Sequence, residues 1–210
     1  TAVDKAESDE VNANSINYLA VKNLALISKE KNINLIHIST DYVFDGENFK
    51  PYTENDTTNP NGVYAKTKLD GEVAIQEVNP ANSIILRTSW VYSVYGNNFV
   101  KTMLKLGKEK ESLGVIFDQV GTPTYARDLA KVILDILPKL NNETLEIYNY
   151  SNEGVISWYD FAKEIMKIAK LKCAINPIET KEYPTPAKRP HYTLLNKEKI
   201  KKEFTITIPY

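Results

Sequence analysis

The chain has 210 residues, enough to bury one sizeable hydrophobic core, and its net charge of −1 gives no electrostatic reason to expect a nucleic acid or an anionic membrane as partner. A single cysteine, Cys173, excludes an internal disulfide framework and is typical of a cytoplasmic protein. His37 and His191 lie far apart in the sequence, and no apolar run is long enough to span a bilayer, so neither a zinc cluster nor a membrane helix is indicated.

Helical and extended patterns alternate along the chain. Residues 7–31 contain no Gly or Pro and predict one long helix. The largely apolar run 34–38 predicts a strand covered on both faces, and 83–87 predicts the next strand. Ser157 predicts the N-cap of a helix that ends at about Lys170. Further helices are predicted at 64–78, 98–110 and 125–137, and further strands at 114–117 and 145–148.

This alternation predicts an α/β fold with a largely parallel sheet. Beyond Lys170 several prolines predict a smaller C-terminal lobe laid over that sheet, and the lysine-rich piece 197–202 predicts a solvated helix face. Ligands bind at the carboxyl ends of strands in open parallel sheets. The loops that follow residues 38, 87 and 117 are rich in hydroxyl groups, so we expect the site there.

The spacing Tyr-x-x-x-Lys, which is the proton-transfer pair of many nicotinamide-dependent enzymes, occurs three times. With 13 tyrosines in 210 residues, chance accounts for part of this. Tyr18/Lys22 lies in the middle of a predicted helix, which favours packing plus a surface lysine. Tyr159/Lys163 lies on the flank of an apolar helical stripe, which favours an exposed pair.

The third pair, Tyr64/Lys68, opens its helix directly after a polar loop and places both groups on one face. The preceding strand ends in Ser39-Thr40-Asp41, so a hydroxyl, a phenol and an ammonium follow in chain order. A free tyrosine has a pKa of about 10, and a nearby ammonium favours the phenolate. The trio predicts proton transfer to or from a substrate oxygen while hydride moves between its carbon and a nicotinamide.

Several motifs then follow one another over essentially the whole chain. They resemble the motifs of the dTDP-4-dehydrorhamnose reductase family, within the extended short-chain dehydrogenase/reductase superfamily. The motifs are Thr1-Ala-Val-Asp-Lys-Ala-Glu7, Ser39-Thr-Asp-Tyr-Val-Phe44, Val63-Tyr-Ala-Lys-Thr-Lys-Leu-Asp-Gly-Glu72, Arg87-Thr-Ser-Trp-Val-Tyr92, Asn97-Asn-Phe-Val-Lys-Thr-Met103, Asp118-Gln-Val-Gly-Thr-Pro-Thr124 and Tyr183-Pro-Thr-Pro-Ala-Lys-Arg-Pro-His191.

The resemblance implies reduction of the 4-keto group of dTDP-4-dehydro-L-rhamnose to dTDP-L-rhamnose, with NADPH or NADH as alternatives for the cofactor. It implies that Tyr64 donates the proton, that Lys68 lowers the pKa of Tyr64 and holds the nicotinamide ribose, and that Thr40 completes the trio. It further implies a sugar site at Thr40, Asp41 and Trp90, a nucleotide-diphosphate site at Asn98, Gly121, Pro123, Thr124 and Arg189, and cofactor contacts from Thr1, Val3, Tyr64 and Lys68.

For the architecture, the resemblance implies a Rossmann-like, doubly wound parallel sheet. Residues 1–95 are expected to belong to the dinucleotide-binding domain and to carry the catalytic residues. Residues 96–210 are expected to add late elements of the sheet, at about 112–150, and the substrate-binding lobe. A small nucleotide sugar is the expected partner, in the cytoplasm, without nucleic acid or membrane. The sequence leaves two further alternatives, a homodimer and a Mg²⁺ site made of carboxylates. Nothing in the sequence points to the Mg²⁺ site.

One feature of the family has no counterpart in these residues. Family members begin with a strand and a glycine-rich turn whose backbone N–H groups bind the cofactor pyrophosphate. No two of the eight glycines lie close enough to form that fingerprint. We therefore expect the complete protein to extend beyond this chain at both ends, and the isolated chain to show weak or no reductase activity.

Two alternatives remain at the level of sequence. Another nucleotide-sugar 4-ketoreductase or an epimerase of the same superfamily would share Thr40, Tyr64 and Lys68 and differ around Trp90. A non-catalytic regulatory-subunit relative would need no catalytic machinery. The intact Arg87–Tyr92 and Asp118–Thr124 motifs argue against this second alternative.

Overall fold

The computed structural model describes residues 2–210, which fold into strands and helices. The four predicted strands and the four helices predicted after residue 60 lie within a few residues of their predicted positions. The strands are β1 (Ile36–Thr40), β2 (Ile84–Thr88), β3 (Val91–Tyr92), β4 (Ser112–Ile116), β5 (Val120–Gly121), β6 (Thr124–Tyr125), β7 (Glu146–Asn149), β8 (Ile156–Ser157) and β9 (Ala174–Ile178). The helices are α1 (Val3–Ala6), α2 (Glu10–Asn14), α3 (Ala20–Lys31), α4 (Val63–Val78), α5 (Phe99–Glu109), α6 (Ala126–Ile136), α7 (Trp158–Ile168) and α8 (Glu198–Phe204).

The main sheet contains β1, β2 and β7 in that spatial order, all parallel. Successive residues of β2 point to opposite faces of the sheet. Ile84 and Leu86 pack with residues of α6 and α8, whereas Ile85 packs with residues of α3 and α4. Helices therefore cover both faces, and the predicted α/β fold with a parallel sheet is confirmed.

The predicted long helix over 7–31 starts later and is interrupted. Regular α-helix begins at Glu10, and the turn Ser15–Leu19 is π-helical. A Cβ at Gly71 of α4 would lie 2.2 Å from the carbonyl oxygen of Asn17, so the two helices approach closely only because residue 71 is glycine. Asn17 also donates to the Thr67 hydroxyl at 3.0 Å, which fixes this turn against α4.

The C-terminal lobe has its own small sheet, in which β4 pairs in parallel with β9. The prediction that the segment from about 112 to 150 contributes late elements of the main sheet is therefore wrong for β4, although β7 does pair with β2. The strand β9 was not predicted because Pro177 lies inside it. Among residues 2–210 its only partner strand is β4, and proline is tolerated at such edges.

The lysine-rich piece near the C terminus is not a plain solvated helix face. Ile200 and Phe204 of α8 are buried against the main sheet. Lys197, just before α8, is only 7% exposed, and its ammonium lies 3.2 Å from the Glu153 carboxylate. Lys197 therefore precedes a core helix, and Lys199, Lys201 and Lys202 lie on that helix.

Candidate active site

A cavity of about 340 Å³ lies at the C-terminal ends of β1 and β2. It is the edge at which the loops after the first two strands were predicted to meet. Side chains from the π-helical turn, β1, α4, β2 and α7 surround it. The lining residues are Val3, Asn17, Ile38, Ser39, Thr40, Asp41, Tyr42, Tyr64, Lys68, Thr88, Trp90, Val91 and Trp158.

The start of α4 is fixed by a distant carboxylate. Gly62 precedes the helix with a φ of +85°, a conformation that favours glycine. The Glu7 carboxylate accepts a hydrogen bond of 2.8 Å from the Val63 N–H, one of the donors that a helix N terminus leaves unpaired. Tyr64 then lies in the first turn and Lys68 one turn later, and both face the cavity.

Thr40 ends β1 and begins the short 3-10 turn Asp41–Val43. Its hydroxyl accepts a hydrogen bond of 3.2 Å from the Tyr42 N–H and donates one of 3.0 Å to the Asp41 carboxylate. Burial raises the pKa of Asp41 to about 6, and the hydrogen bond from Thr40 opposes this shift. Thr40, Tyr64 and Lys68 all line the cavity. The structure thus brings the predicted trio to one cavity.

Lys68 is directed toward β1. Its ammonium donates a hydrogen bond of 2.7 Å to the Ile38 carbonyl and lies 3.2 Å from His37 Nε2. Burial lowers the pKa of Lys68 to about 8, while Glu72 favours the charged form. Burial, with a smaller contribution from Lys68, lowers the pKa of His37 to about 3, so this imidazole is neutral near pH 7.

The pKa of Tyr64 differs from the sequence-based expectation. Burial raises it, the Thr40 hydrogen bond partly offsets the shift, and the Asp41 charge adds to it. The net direction is therefore opposite to the expected lowering, and the contribution of Lys68 to the pKa of Tyr64 stays a prediction. The reason is that desolvation disfavours the phenolate, while the ammonium is bonded to the strand carbonyl.

Trp90 forms one wall of the cavity. Its ring is stacked on that of Trp158, with ring centroids 3.6 Å apart and planes at 12°. Gly121, predicted for the nucleotide site, does not line the cavity but lies behind this wall. A Cβ at Gly121 would lie 3.0 Å from the Trp90 ring and 2.8 Å from the Thr193 hydroxyl, so glycine leaves room for the indole.

Three other residues predicted for the nucleotide site lie outside the cavity. Asn98 is the N-cap of α5, where its side-chain oxygen accepts from the Lys101 N–H at 3.2 Å. Thr124 is buried, its hydroxyl lies 3.3 Å from that of Thr88, and its N–H donates to the Trp90 carbonyl at 3.2 Å. Pro123 lies between β5 and β6.

Arg189 is held by a carboxylate near the start of the chain. Its guanidinium donates to both oxygens of Asp4, at 3.0 and 2.8 Å, and so links α1 to the C-terminal segment. Val3 lines the cavity, and its contact with the cofactor stays a prediction. Thr1, the other residue predicted there, lies outside the described residues.

The other two Tyr-x-x-x-Lys pairs lie away from this cavity. The Lys22 ammonium lies 5.9 Å from the Tyr18 ring centroid, and the Lys163 ammonium lies 5.3 Å from that of Tyr159. Both are local contacts within a helix. Of the three pairs, only Tyr64/Lys68 lines the cavity.

Sequence reasoning missed several lining residues. Trp158 is part of an apolar helical stripe, which has the same pattern whether it packs or lines a cavity. Asn17 reaches the cavity from a π-helical turn that carries no sequence signal. Ser39 also lines the cavity, and its hydroxyl oxygen is buried without a hydrogen-bond partner among residues 2–210. The hydroxyl-rich strand end gave a usable signal for Ser39.

Within residues 2–210, no group of three or more His, Cys, Asp or Glu side chains is arranged to hold a metal ion. No helix in this part of the chain combines the length and apolar character needed to cross a bilayer.

Comparison with known proteins gives a consistent result. The family model described as the RmlD substrate binding domain matches residues 1–210. A dTDP-4-dehydrorhamnose reductase of Aggregatibacter actinomycetemcomitans is 44% identical, over 98% of this chain and 73% of that protein. A crystal structure of a dTDP-4-dehydrorhamnose reductase from Clostridium acetobutylicum is similar with a TM-score of 0.93 and 43% identity, over 100% of this chain and 74% of that one.

A second solved structure, of dTDP-4-dehydrorhamnose reductase from Bacillus anthracis in complex with NADP, has a TM-score of 0.93 and 37% identity. It covers 100% of this chain and 73% of its own. These similarities confirm the Rossmann-like fold of the short-chain dehydrogenase/reductase type. The chain belongs to the RmlD substrate-binding-domain family, that of the dTDP-4-dehydrorhamnose reductases.

Proposed function

We propose that this chain carries the catalytic and sugar-binding residues for NAD(P)H-dependent reduction of dTDP-4-dehydro-L-rhamnose to dTDP-L-rhamnose. The observation that carries the assignment of roles is the meeting of Thr40, Tyr64 and Lys68 in one cavity. The NADP complex of the Bacillus anthracis relative supports a nicotinamide cofactor. The names of the relatives support the nucleotide-sugar substrate.

In this proposal Tyr64 gives its proton to the sugar O4. Because burial raises the pKa of Tyr64, the phenol stays protonated near neutral pH, which is the state that a proton donor needs. The Thr40 hydroxyl, which lines the same cavity, holds the same substrate oxygen. The positive charge on Lys68 then stabilises the phenolate that remains after proton transfer.

The cavity fits the nicotinamide end of the cofactor. The Lys68 ammonium can bond ribose hydroxyls, and Val3 adds an apolar contact. When bound, the cofactor supplies the hydride that goes to C4 of the sugar. The glycine fingerprint that would bind its pyrophosphate does not occur in these 210 residues.

The sugar faces Trp90 and Asp41 in this assignment. The indole gives the sugar ring an apolar surface, while Asp41 offers a hydrogen-bond acceptor when ionised. For Asn98, Thr124 and Arg189, the contacts with Lys101, Thr88 and Asp4 are structural, and a role at the diphosphate stays a prediction. A cytoplasmic location suits the single cysteine. The homodimer also stays a prediction.

The test uses the product of the complete gene and follows NADPH oxidation with dTDP-4-dehydrorhamnose. We expect Tyr64→Phe to lower kcat at least about 10²-fold, because the variant lacks the proton that reaches O4. Tyr18→Phe and Tyr159→Phe are matched controls with the same Tyr-x-x-x-Lys spacing and should leave kcat unchanged. An unchanged kcat for Tyr64→Phe would contradict the assignment.

A further inference from the structure

We propose that Trp158 is a positioning residue that holds Trp90 as the sugar-facing wall of the cavity. The inference rests on the proposed function, because the proposed function identifies the ligand that contacts this wall as the sugar of a nucleotide-sugar. Both tryptophans line the cavity that contains Tyr64 and Lys68.

The two indoles are in close parallel contact. Their centroids are 3.6 Å apart with planes at 12°, and Phe99 extends the cluster at 4.6 Å from Trp158. The two rings overlap nearly face to face, so each covers most of one flat side of the other. Trp158 therefore covers one face of the Trp90 ring and limits its rotation. The other face of the Trp90 ring is left for a ligand.

The backbone of Trp90 gives a reason why such support is needed. Its φ is +47°, in the left-handed region that a bulky residue seldom adopts. Conformations of this kind persist where the surroundings hold them in place. Here Trp158 packs against the ring, the missing Cβ of Gly121 leaves space for it, and the Trp90 carbonyl accepts from the Thr124 N–H.

Trp158 is itself fixed from two directions. It is the first residue of α7, whose N terminus carries a capping box between Ser157 and Asp160. The residues just before it form β8, which pairs antiparallel with β5, so that Ile156 lies opposite Gly121. The same pairing that places Gly121 behind Trp90 thus places Trp158 against it.

This arrangement gives Trp158 a role in sugar binding without direct transfer of a proton or hydride. A ring that is free to turn would have to be ordered when the sugar binds, and this ordering weakens affinity. The loss should fall on the affinity for the sugar and leave that for the cofactor unchanged. This distinction separates a positioning role from general loosening of the fold.

Two measurements on the 210-residue chain test the arrangement directly. Trp90 and Trp158 are the only two tryptophans in this sequence, so a coupled indole signal in circular dichroism can come only from this pair. We expect that signal in the wild type and its loss in Trp158→Phe and in Trp90→Phe. Calorimetric titration with dTDP-L-rhamnose should give a Kd about two- to tenfold weaker for Trp158→Ala, the effect of losing one stacked pair.

The complete gene product adds the kinetic measurement. Trp158→Ala should raise KM for the keto-sugar by a similar factor with KM for NADPH unchanged, and Trp158→Phe, which keeps a ring, should raise it less. Tyr159→Phe, in the same helical turn, is the matched control and should match the wild type in both constants.

The outcomes separate this inference from the proposed function. A wild type without the coupled signal, or Trp158→Ala with wild-type Kd and KM for sugars, would overturn the role of Trp158. Equal increases in the KM values of sugar and cofactor would also overturn it. A wild type that shows the signal and binds dTDP-L-rhamnose, but does not reduce the keto-sugar, would refute the proposed reaction and leave the stack supported.

Discussion

The two sides of the cavity are held in place by different forces. On the catalytic side, Tyr64 and Lys68 project from α4, which is tied to β2 by the buried ion pair of Arg87 and Glu72. On the side that carries Trp90, the support is a stack of aromatic rings reaching into the C-terminal lobe.

This difference corresponds to two different requirements. Proton transfer depends on distances of a few tenths of an ångström, and directional bonds to backbone and carboxylate groups fix such distances. A sugar-facing wall has to present a shape, and non-directional packing of flat rings is sufficient for that. The comparison predicts that catalytic-side changes cost mostly stability or kcat, whereas wall changes cost mostly affinity for the sugar.

The largest effect on stability is expected at the buried ion pair. The Arg87 guanidinium donates to both Glu72 oxygens, at 2.7 to 3.1 Å, and the two side chains are 4% and 1% exposed. Glu72→Ala leaves the arginine charge buried without its carboxylate, which destabilises by about 3–5 kcal/mol. Urea unfolding followed by circular dichroism measures this loss.

The matched control is an exposed pair in the C-terminal lobe. Glu164 lies 3.1 Å from the Lys167 ammonium, and both side chains are more than half exposed. Glu164→Ala should change the free energy of unfolding by less than about 1 kcal/mol, as is usual for surface pairs. Equal losses for Glu72→Ala and Glu164→Ala would mean that the buried pair does not anchor α4.

Most of this catalytic side could be predicted from the sequence. Strand β1 and helix α4 have continuous or periodic apolar patterns, and the trio follows from its position after a strand end. The ion pair between Arg87 and Glu72 could not be predicted, because charged residues 15 positions apart give no sign of meeting in a core. The π-helical turn at Ser15–Leu19 was also unpredictable, because its residues continue the helical pattern of 7–31 and its close approach to Gly71 is a tertiary contact.

The next effect concerns pH. Burial raises the pKa of Asp41 from 3.8 to about 6 in the folded protein, so folding takes up a proton between these values. The contribution of Asp41 to stability is therefore fully present below about pH 4 and is lost as the pH rises through 6, by up to about 3 kcal/mol for a shift of about two pKa units.

Asp41→Asn tests this sign, because the neutral amide cannot titrate. Unfolding free energies measured from pH 4 to 7 should show the wild type losing stability relative to Asp41→Asn as the pH rises. A difference that is constant over this range would show that Asp41 is not perturbed. From the sequence, Asp41 is only a polar residue near a strand end. Its raised pKa could not be predicted, because the burial that causes it comes from tertiary packing.

The sugar side was less accessible to sequence reasoning. The helix α7 and its Ser157 cap were predicted, but the role of Trp158 depends on the pairing of β5 with β8, two strands of two residues each. Strands that short have no period to detect. The positive φ of Trp90 is likewise invisible in sequence, because a tryptophan seldom adopts it.

The smallest predicted effect compares two helix caps, one beside the stack and one outside the cavity. The Ser157 hydroxyl accepts from the Asp160 N–H at 3.1 Å, and Asn98 caps α5 in the same way at 3.2 Å. Ser157→Ala and Asn98→Ala should each lower the free energy of unfolding by about 1 kcal/mol. Only Ser157→Ala should also weaken the coupled indole signal, because the next residue is Trp158. If both variants leave that signal unchanged, the capping box at α7 stabilises the helix but does not help to place the ring.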